Sequence, residues 1–243
     1  MRYGIKEVAD LIFINLETNK PELFMDTAKM SNLELTAETT YARGGRGNGR
    51  LIGWDYNREG QLQVEDALLS DKSLAMLAGS EVVEGAKTVL LTKKVKLGAD
   101  GTIPLADADS IVAVSMLADG ASGEDVDESA TDGYGFATGT VTLTGASKVE
   151  GADYLVYYNK EVENATTVTF STDKFPSTYR VVGNTLVRNE KTGKDHAYQM
   201  VIARAKLLPG VTLTMDAENL STFTFTLDVL QDDNKEMVEL IRF

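Results

Sequence analysis

Three guanidinium groups crowd the segment Arg43-Gly44-Gly45-Arg46-Gly47-Asn48-Gly49-Arg50. Glycine-rich basic segments cradle phosphates when their backbone N–H groups converge on the anion. The spacing here fails that requirement. A phosphate-binding P-loop needs Gly, four residues, then Gly-Lys-Ser/Thr opening a helix. Here Gly49 is followed by Arg50-Leu51 and a strand-like run. A dinucleotide loop needs Gly-x-Gly-x-x-Gly, whereas these glycines recur at Gly45, Gly47 and Gly49. An RNA-binding reading would set three arginines against a chain of net charge −13, which repels phosphate backbones. The segment reads better as a flexible basic loop that meets an acidic surface on a neighbour. Arginine suits that task because its planar fork pairs bidentately with carboxylates.

The other chemistry-bearing residues are sparse. The run Glu124-Asp125-Val126-Asp127-Glu128 could attract Ca²⁺, but the EF-hand register is absent. It reads as a solvated acidic loop. His196 is the one histidine, in Lys194-Asp195-His196, and no nucleophile-elbow motif accompanies it. With one histidine and no cysteine, neither a transition-metal centre nor a disulfide is expected. No catalytic residue and no cofactor are expected, and the chain reads as a non-enzyme. Trp54, in Ile52-Gly53-Trp54-Asp55, reads as a core or interface anchor.

These residues sit in a strand-rich chain. From Tyr198 to Phe243 the sequence reads strand, turn, strand, turn, strand. Tyr198, Met200 and Ile202 alternate until Pro209-Gly210; then Val211, Leu213 and Met215 alternate with Thr212, Thr214 and Asp216. A third row runs through Phe223, Phe225, Leu227 and Val229, and the end reads Met237 to Phe243. Such alternation means sheet with two unlike faces. Thr and Asp line one, and Phe, Leu and Val the other.

With 243 residues, 43% of them hydrophobic, the chain can fill one large domain or two small ones. No apolar run approaches the roughly 20 residues of a membrane span, and the start lacks a signal-peptide core. Residues 1–87 contain strand candidates at Leu11–Leu16, Leu33–Thr39, Leu51–Trp54 and Gln61–Glu65. They close with a helix predicted over Asp71–Ala78, capped by Ser70 and stopped by Gly79. Residues 88–163 differ in composition. Short strands alternate with Gly and Asp turns, no Lys or Arg occurs between Leu97 and Ser147, and Asp119–Gly135 reads as an exposed, mobile loop. Residues 164–243 return to the first style, with strands expected at Thr167–Phe170 and Tyr179–Gly183. The expected fold is mainly β: a discontinuous β-sandwich or barrel with one short helix over 1–87 and 164–243, and a small β-sandwich inserted at 88–163.

Several stretches resemble the tail tube proteins of tailed bacteriophages. They are Gly60-Gln61-Leu62-Gln63-Val64-Glu65-Asp66-Ala67-Leu68-Leu69-Ser70 running into Lys72–Gly79, Phe175–Gly183, Gly193-Lys194-Asp195 and Asn219–Phe223. The resemblance covers the first and third blocks and rests on strand–helix–meander patterns. It implies a virion structural protein made in the host cytoplasm, forming hexameric rings that stack into a tube for DNA ejection. Its partners would be further copies of itself, the tape measure protein and a sheath, with duplex DNA passing unbound and no membrane. Arg43, Arg46, Arg50 and Trp54 would then make contacts between subunits. Asp216 and Asp228 would face the lumen, and the inserted block would decorate the outside. The competing readings are a capsid decoration or head-completion protein, and a two-domain adhesin binding a glycan through Tyr134 and Phe136.

Overall fold

The computed structural model describes residues 2–117, 123–210, 212 and 222–243. The chain divides into two compact units, Met1–Val83 with Thr167–Phe243, and Glu84–Thr166. The first half of the chain supplies strands β1 (Tyr3–Ile5), β2 (Asp10–Asn15), β3 (Pro21–Met25), β4 (Ala28–Gly44) and β5 (Gly49–Asp66), then helix α1 (Asp71–Ala78). Next come β6 (Val83–Lys96), β7 (Thr102–Pro104), β8 (Ser110–Leu117), β9 (Glu124–Val126), β10 (Gly133–Ala137), β11 (Thr140–Thr144) and β12 (Asp153–Thr167). The chain finishes with β13 (Thr178–Asn189), β14 (Asp195–Leu207), β15 (Phe223–Leu230) and β16 (Val238–Arg242).

The discontinuous unit is built on one nine-stranded sheet, ordered β3-β2-β13-β14-β15-β5-β4, with β1 also pairing β13 and β16 also pairing β14. The two long strands β13 and β14 explain the branching. β13 pairs β2 along Tyr179–Asn184 and β1 along Val187–Asn189. β14 pairs β15 along Arg204–Leu207 and β16 along Tyr198–Ile202. A register slip between Tyr179 and Val181 bends the hairpin between them. The sheet stays open rather than closing into a barrel, with β3 and β4 at the ends of its main path.

Alternation decides what the sheet buries. Phe223, Phe225, Leu227 and Val229 of β15 are buried, while Thr224, Thr226 and Asp228 between them are half-exposed. The same rule turns Leu11, Phe13, Leu62, Val64, Val181 and Ile202 into one core. Phe13 stands edge-on to Tyr179 at 6.2 Å between ring centroids and also meets Phe225 at 6.1 Å. Burying these rings is worth about 2–3 kcal/mol each.

Helix α1 covers part of that core through Met76, Leu77 and Leu74. Its ends follow from local chemistry. Ser70 Oγ accepts the Ser73 N–H, and Ser73 Oγ accepts the Ser70 N–H, a reciprocal capping box. Gly79 takes a left-handed φ of 62°, and the Gly79 and Ser80 N–H groups return to the carbonyls of Met76 and Ala75.

The inserted unit is a small sandwich of two antiparallel sheets, β10-β11-β7 and β6-β12-β8-β9. They enclose Ile103, Leu105, Val114, Val141, Leu143, Tyr154 and Val156. Tyr154 is fully buried yet polar-satisfied. Its hydroxyl donates to the Ser147 carbonyl at 2.6 Å and accepts the Val149 N–H at 3.1 Å.

Three expectations change here. Val168–Phe170 is not strand; β12 stops at Thr167. The expected loop Asp119–Gly135 contains β9 and the start of β10. Tyr134 is 7% exposed and, with half-buried Phe136, packs on the inserted core. The aromatic platform required of a glycan-binding loop is thereby spent on packing, because alternation along β10 turns these rings inward. The row Val211, Leu213, Met215 and the candidate Asp216 lie outside the described residues apart from Thr212, which bridges to Thr224.

Candidate assembly interface

The segment Ala42–Arg50 is the tip of a long hairpin. Ala42–Gly44 end β4, Gly49 and Arg50 begin β5, and only Gly45–Asn48 forms the turn. The Asn48 N–H donates to the Gly45 carbonyl at 3.1 Å. Gly45, Gly47 and Asn48 take φ of 76°, 91° and 51°, which explains the glycines without any phosphate. The expected flexible loop is therefore a structured strand end, because the turn residues close the hairpin tightly.

The base of this hairpin belongs to the body. β5 pairs β15 from Gln61 to Asp66, and its Leu62 and Val64 are in the core. Beyond Gly60 the strands pair only with each other among the described residues. Residues 34–41 and 45–59 are all exposed, so this part is a two-stranded arm with neither face covered.

A bulge decides which residues the arm presents. The register slips between Thr36 and Glu38, leaving an extra residue in β5, where Asn57 takes a φ of 47°. One extra residue reverses the alternation. Even-numbered residues of β5 face the core below the slip and face the opposite side above it. Trp54 stands across from Thr40, Tyr56 from Glu38 and Ile52 from Ala42. A second slip at Leu51 puts that side chain on the same face, 3.3 Å from where a side chain on Gly44 would begin. Leu51, Ile52, Trp54 and Tyr56 therefore share one face and are 67%, 55%, 54% and 47% exposed. Tyr41 lies on the other face, with the Arg50 guanidinium 4.2 Å above its ring.

Arg43 and Arg50 are directly paired across the strands, and Arg46 sits in the turn. All three are exposed. Residues 39–54 contain no acidic group, so the tip carries a charge of +3 and, from the chain's −13, the remainder carries −16. Tyr56 is bound to Glu38 across the arm. Its hydrogen bond to Glu38 raises its pKa above the usual phenol value.

Asp228 lies on the polar face of β15, half-exposed, and accepts a hydrogen bond from Gln61 Nε2 at 3.1 Å. Its row continues across the sheet from Lys206 through Asp228 and Gln61 to Glu34. Thr226, Gln63 and Asn32 form the next row. This face is a polar wall. His196, half-buried on β14, pairs with Val187 across the sheet. Among the described residues no three His, Asp or Glu side chains converge to hold a metal, and no helix is long and apolar enough to cross a membrane.

Sequence reasoning picked out Trp54 and the arginines but passed over Leu51, Ile52 and Tyr56. The signal available was the Gly45–Gly49 turn between two β-rich runs, which marks a hairpin. The bulge left no legible mark.

No curated protein matches the chain. A family model matches residues 3–243, nearly the whole length. On that match the chain belongs to the YomU/Tube protein family.

Proposed function

We propose that this protein is a tail tube subunit that self-assembles into hexameric rings, stacked to form the conduit for DNA ejection. The observation that carries the reading is the arm. An isolated two-stranded hairpin is marginally stable in water, and this one holds four large apolar side chains away from its own core. A surface of that kind gains stability only when another surface covers it. Membership of a tube family supports another copy of the chain as that cover. The open sheet adds a second reason, because an unpaired edge is a template for pairing with a neighbour.

In this reading Arg43, Arg46, Arg50 and Trp54 contact adjacent subunits. The polar wall bearing Asp228 lines the channel, and the net charge of −13 keeps duplex DNA from sticking as it passes. The unit Glu84–Thr166 projects outside the tube. The protein resides in the virion tail, with the tape measure protein and, in a contractile tail, the sheath as further partners.

Negative-stain electron microscopy of the concentrated protein tests this. Hollow filaments of uniform width and regular axial repeat are the expected result. Monodisperse monomers across the whole concentration range would overturn self-assembly.

A further inference from the structure

Asn48 is the one asparagine of the chain that precedes a glycine. It lies in the turn at the tip of the arm, between Arg46 and Arg50. Its side chain is exposed and hydrogen-bonds to none of the described residues. By contrast, Asn15 Oδ1 accepts the Glu17 and Thr18 N–H groups, and Asn189 Oδ1 accepts those of Lys191 and Thr192.

Strand register frees the group beside it. The Asn48 N–H donates to the Gly45 carbonyl at 3.1 Å, so Gly45 and Asn48 face each other as a hydrogen-bonded position. The next pair along the hairpin, Gly44 and Gly49, is then a non-hydrogen-bonded one. At such a pair the N–H groups point away from the opposite strand. Among the described residues no third strand borders the arm there, so the Gly49 N–H meets solvent. Gly49 also carries no side chain, and the space where a Cβ would stand is open. The attacking nitrogen is therefore unbonded and unshielded.

We propose that Asn48 deamidates in the unassembled subunit and that covering the arm tip in the assembly stops it. Rotation of the backbone at Asn48 brings Cγ onto the Gly49 nitrogen. An uncovered two-stranded hairpin end permits that movement. The nitrogen gives its proton to water or hydroxide and bonds to Asn48 Cγ. The Cγ–Nδ2 bond breaks and ammonia leaves, closing a five-membered succinimide. Water then opens the ring, at Cγ to give aspartate or at the main-chain carbonyl to give isoaspartate. The guanidinium groups of the tip favour the deprotonated nitrogen, because nearby positive charge stabilises an anion. Either product adds one negative charge to a tip of +3, and isoaspartate also lengthens the main chain by one methylene within the turn. The reaction marks subunits that have waited unassembled. That consequence rests on the tube-subunit reading; the reaction itself does not.

Dilute full-length protein is held in mildly alkaline buffer, and the glutamyl endopeptidase peptide 39–59 is followed by mass spectrometry. Asn57 lies in the same peptide, is exposed, takes a similar φ of 47° and precedes Arg58, so it serves as the internal control. Asn48 should convert to aspartate and isoaspartate well ahead of Asn57. G49A should slow the conversion about tenfold by crowding the nitrogen, and the open space at that position lets the variant fold as the wild type does. Conversion of Asn48 no faster than that of Asn57, or a rate that G49A leaves unaltered, overturns the proposal.

Assembled protein gives a second readout. Filaments should keep Asn48 intact through the same incubation, and N48D should need a concentration about two- to fivefold higher to assemble. Filaments in which Asn48 converts as fast as in dilute protein overturn the protection, and an unchanged N48D threshold overturns the effect on assembly. Wild-type protein that forms no filaments overturns the tube reading, while the comparison of Asn48 with Asn57 in dilute protein still decides the deamidation.

Discussion

Replacing Trp54 by alanine should separate assembly from folding. A tryptophan exposes up to about 250 Å², and Trp54 is 54% exposed in the single chain. Docking can therefore remove about 135 Å² of ring from water, worth roughly 3 kcal/mol at about 25 cal/mol per Å². That corresponds to a loss of roughly 100- to 200-fold in the association constant of each contact. In the unassembled chain the same ring touches neither core, so unfolding stability should change by no more than about 0.5 kcal/mol. Sedimentation velocity over a concentration series gives the first quantity, and urea unfolding of dilute protein gives the second. Unaltered assembly would refute the assignment of the arm as an interface. A loss of 2 kcal/mol or more in the dilute chain would show that Trp54 packs within its own subunit.

Three further outcomes follow from the packing. Y154F removes a buried hydroxyl that serves the Ser147 carbonyl and the Val149 N–H; the inserted sandwich should lose about 1–3 kcal/mol in urea unfolding, while assembly through the arm persists. G79A should destabilise the discontinuous unit by at least about 2 kcal/mol, because φ there is 62° and a Cβ would strike the Phe175 backbone; thermal unfolding checks it. Asp195 accepts hydrogen bonds from Arg188 at 2.7 and 2.9 Å and from Lys6 at 3.3 Å, and Arg188 first, then Lys6, holds its carboxyl well below the usual range. A lowered folded-state pKa stabilises fully above the ordinary carboxylate pKa of about 4 and is lost as pH falls through the lowered value. The stability gap between wild type and D195N should therefore be constant from neutral pH to about pH 5 and close below about pH 4; a gap that closes above pH 5 contradicts the pairing.

Much of the fold was legible because it depends on local periodicity. The row Phe223–Val229 buries the residues that alternation selects, and in the row Tyr198–Ile202 Met200 and Ile202 are buried and Tyr198 half-buried. Helix α1 runs between the Ser70 cap and Gly79, since both ends are set by residues within four positions. Composition alone also set the charge contrast between the arginine tip and the rest of the chain.

Pairing between distant segments decided the rest. Unbroken alternation along β5 would put Ile52, Trp54 and Tyr56 on the face of Leu62 and Val64. The slip at Asn57 instead turns them to the opposite side, because one extra residue reverses every side chain beyond it. Tyr134 and Phe136, read as loop aromatics, are packed because β10 pairs β11. The polar row from Lys206 through Asp228 and Gln61 to Glu34 exists only through three registers that join residues up to 172 positions apart in the chain, from Glu34 to Lys206. A sequence states which residues are apolar and at what spacing. Which of them end on a shared surface is a property of strand register, and register is settled by the competition among all pairings at once.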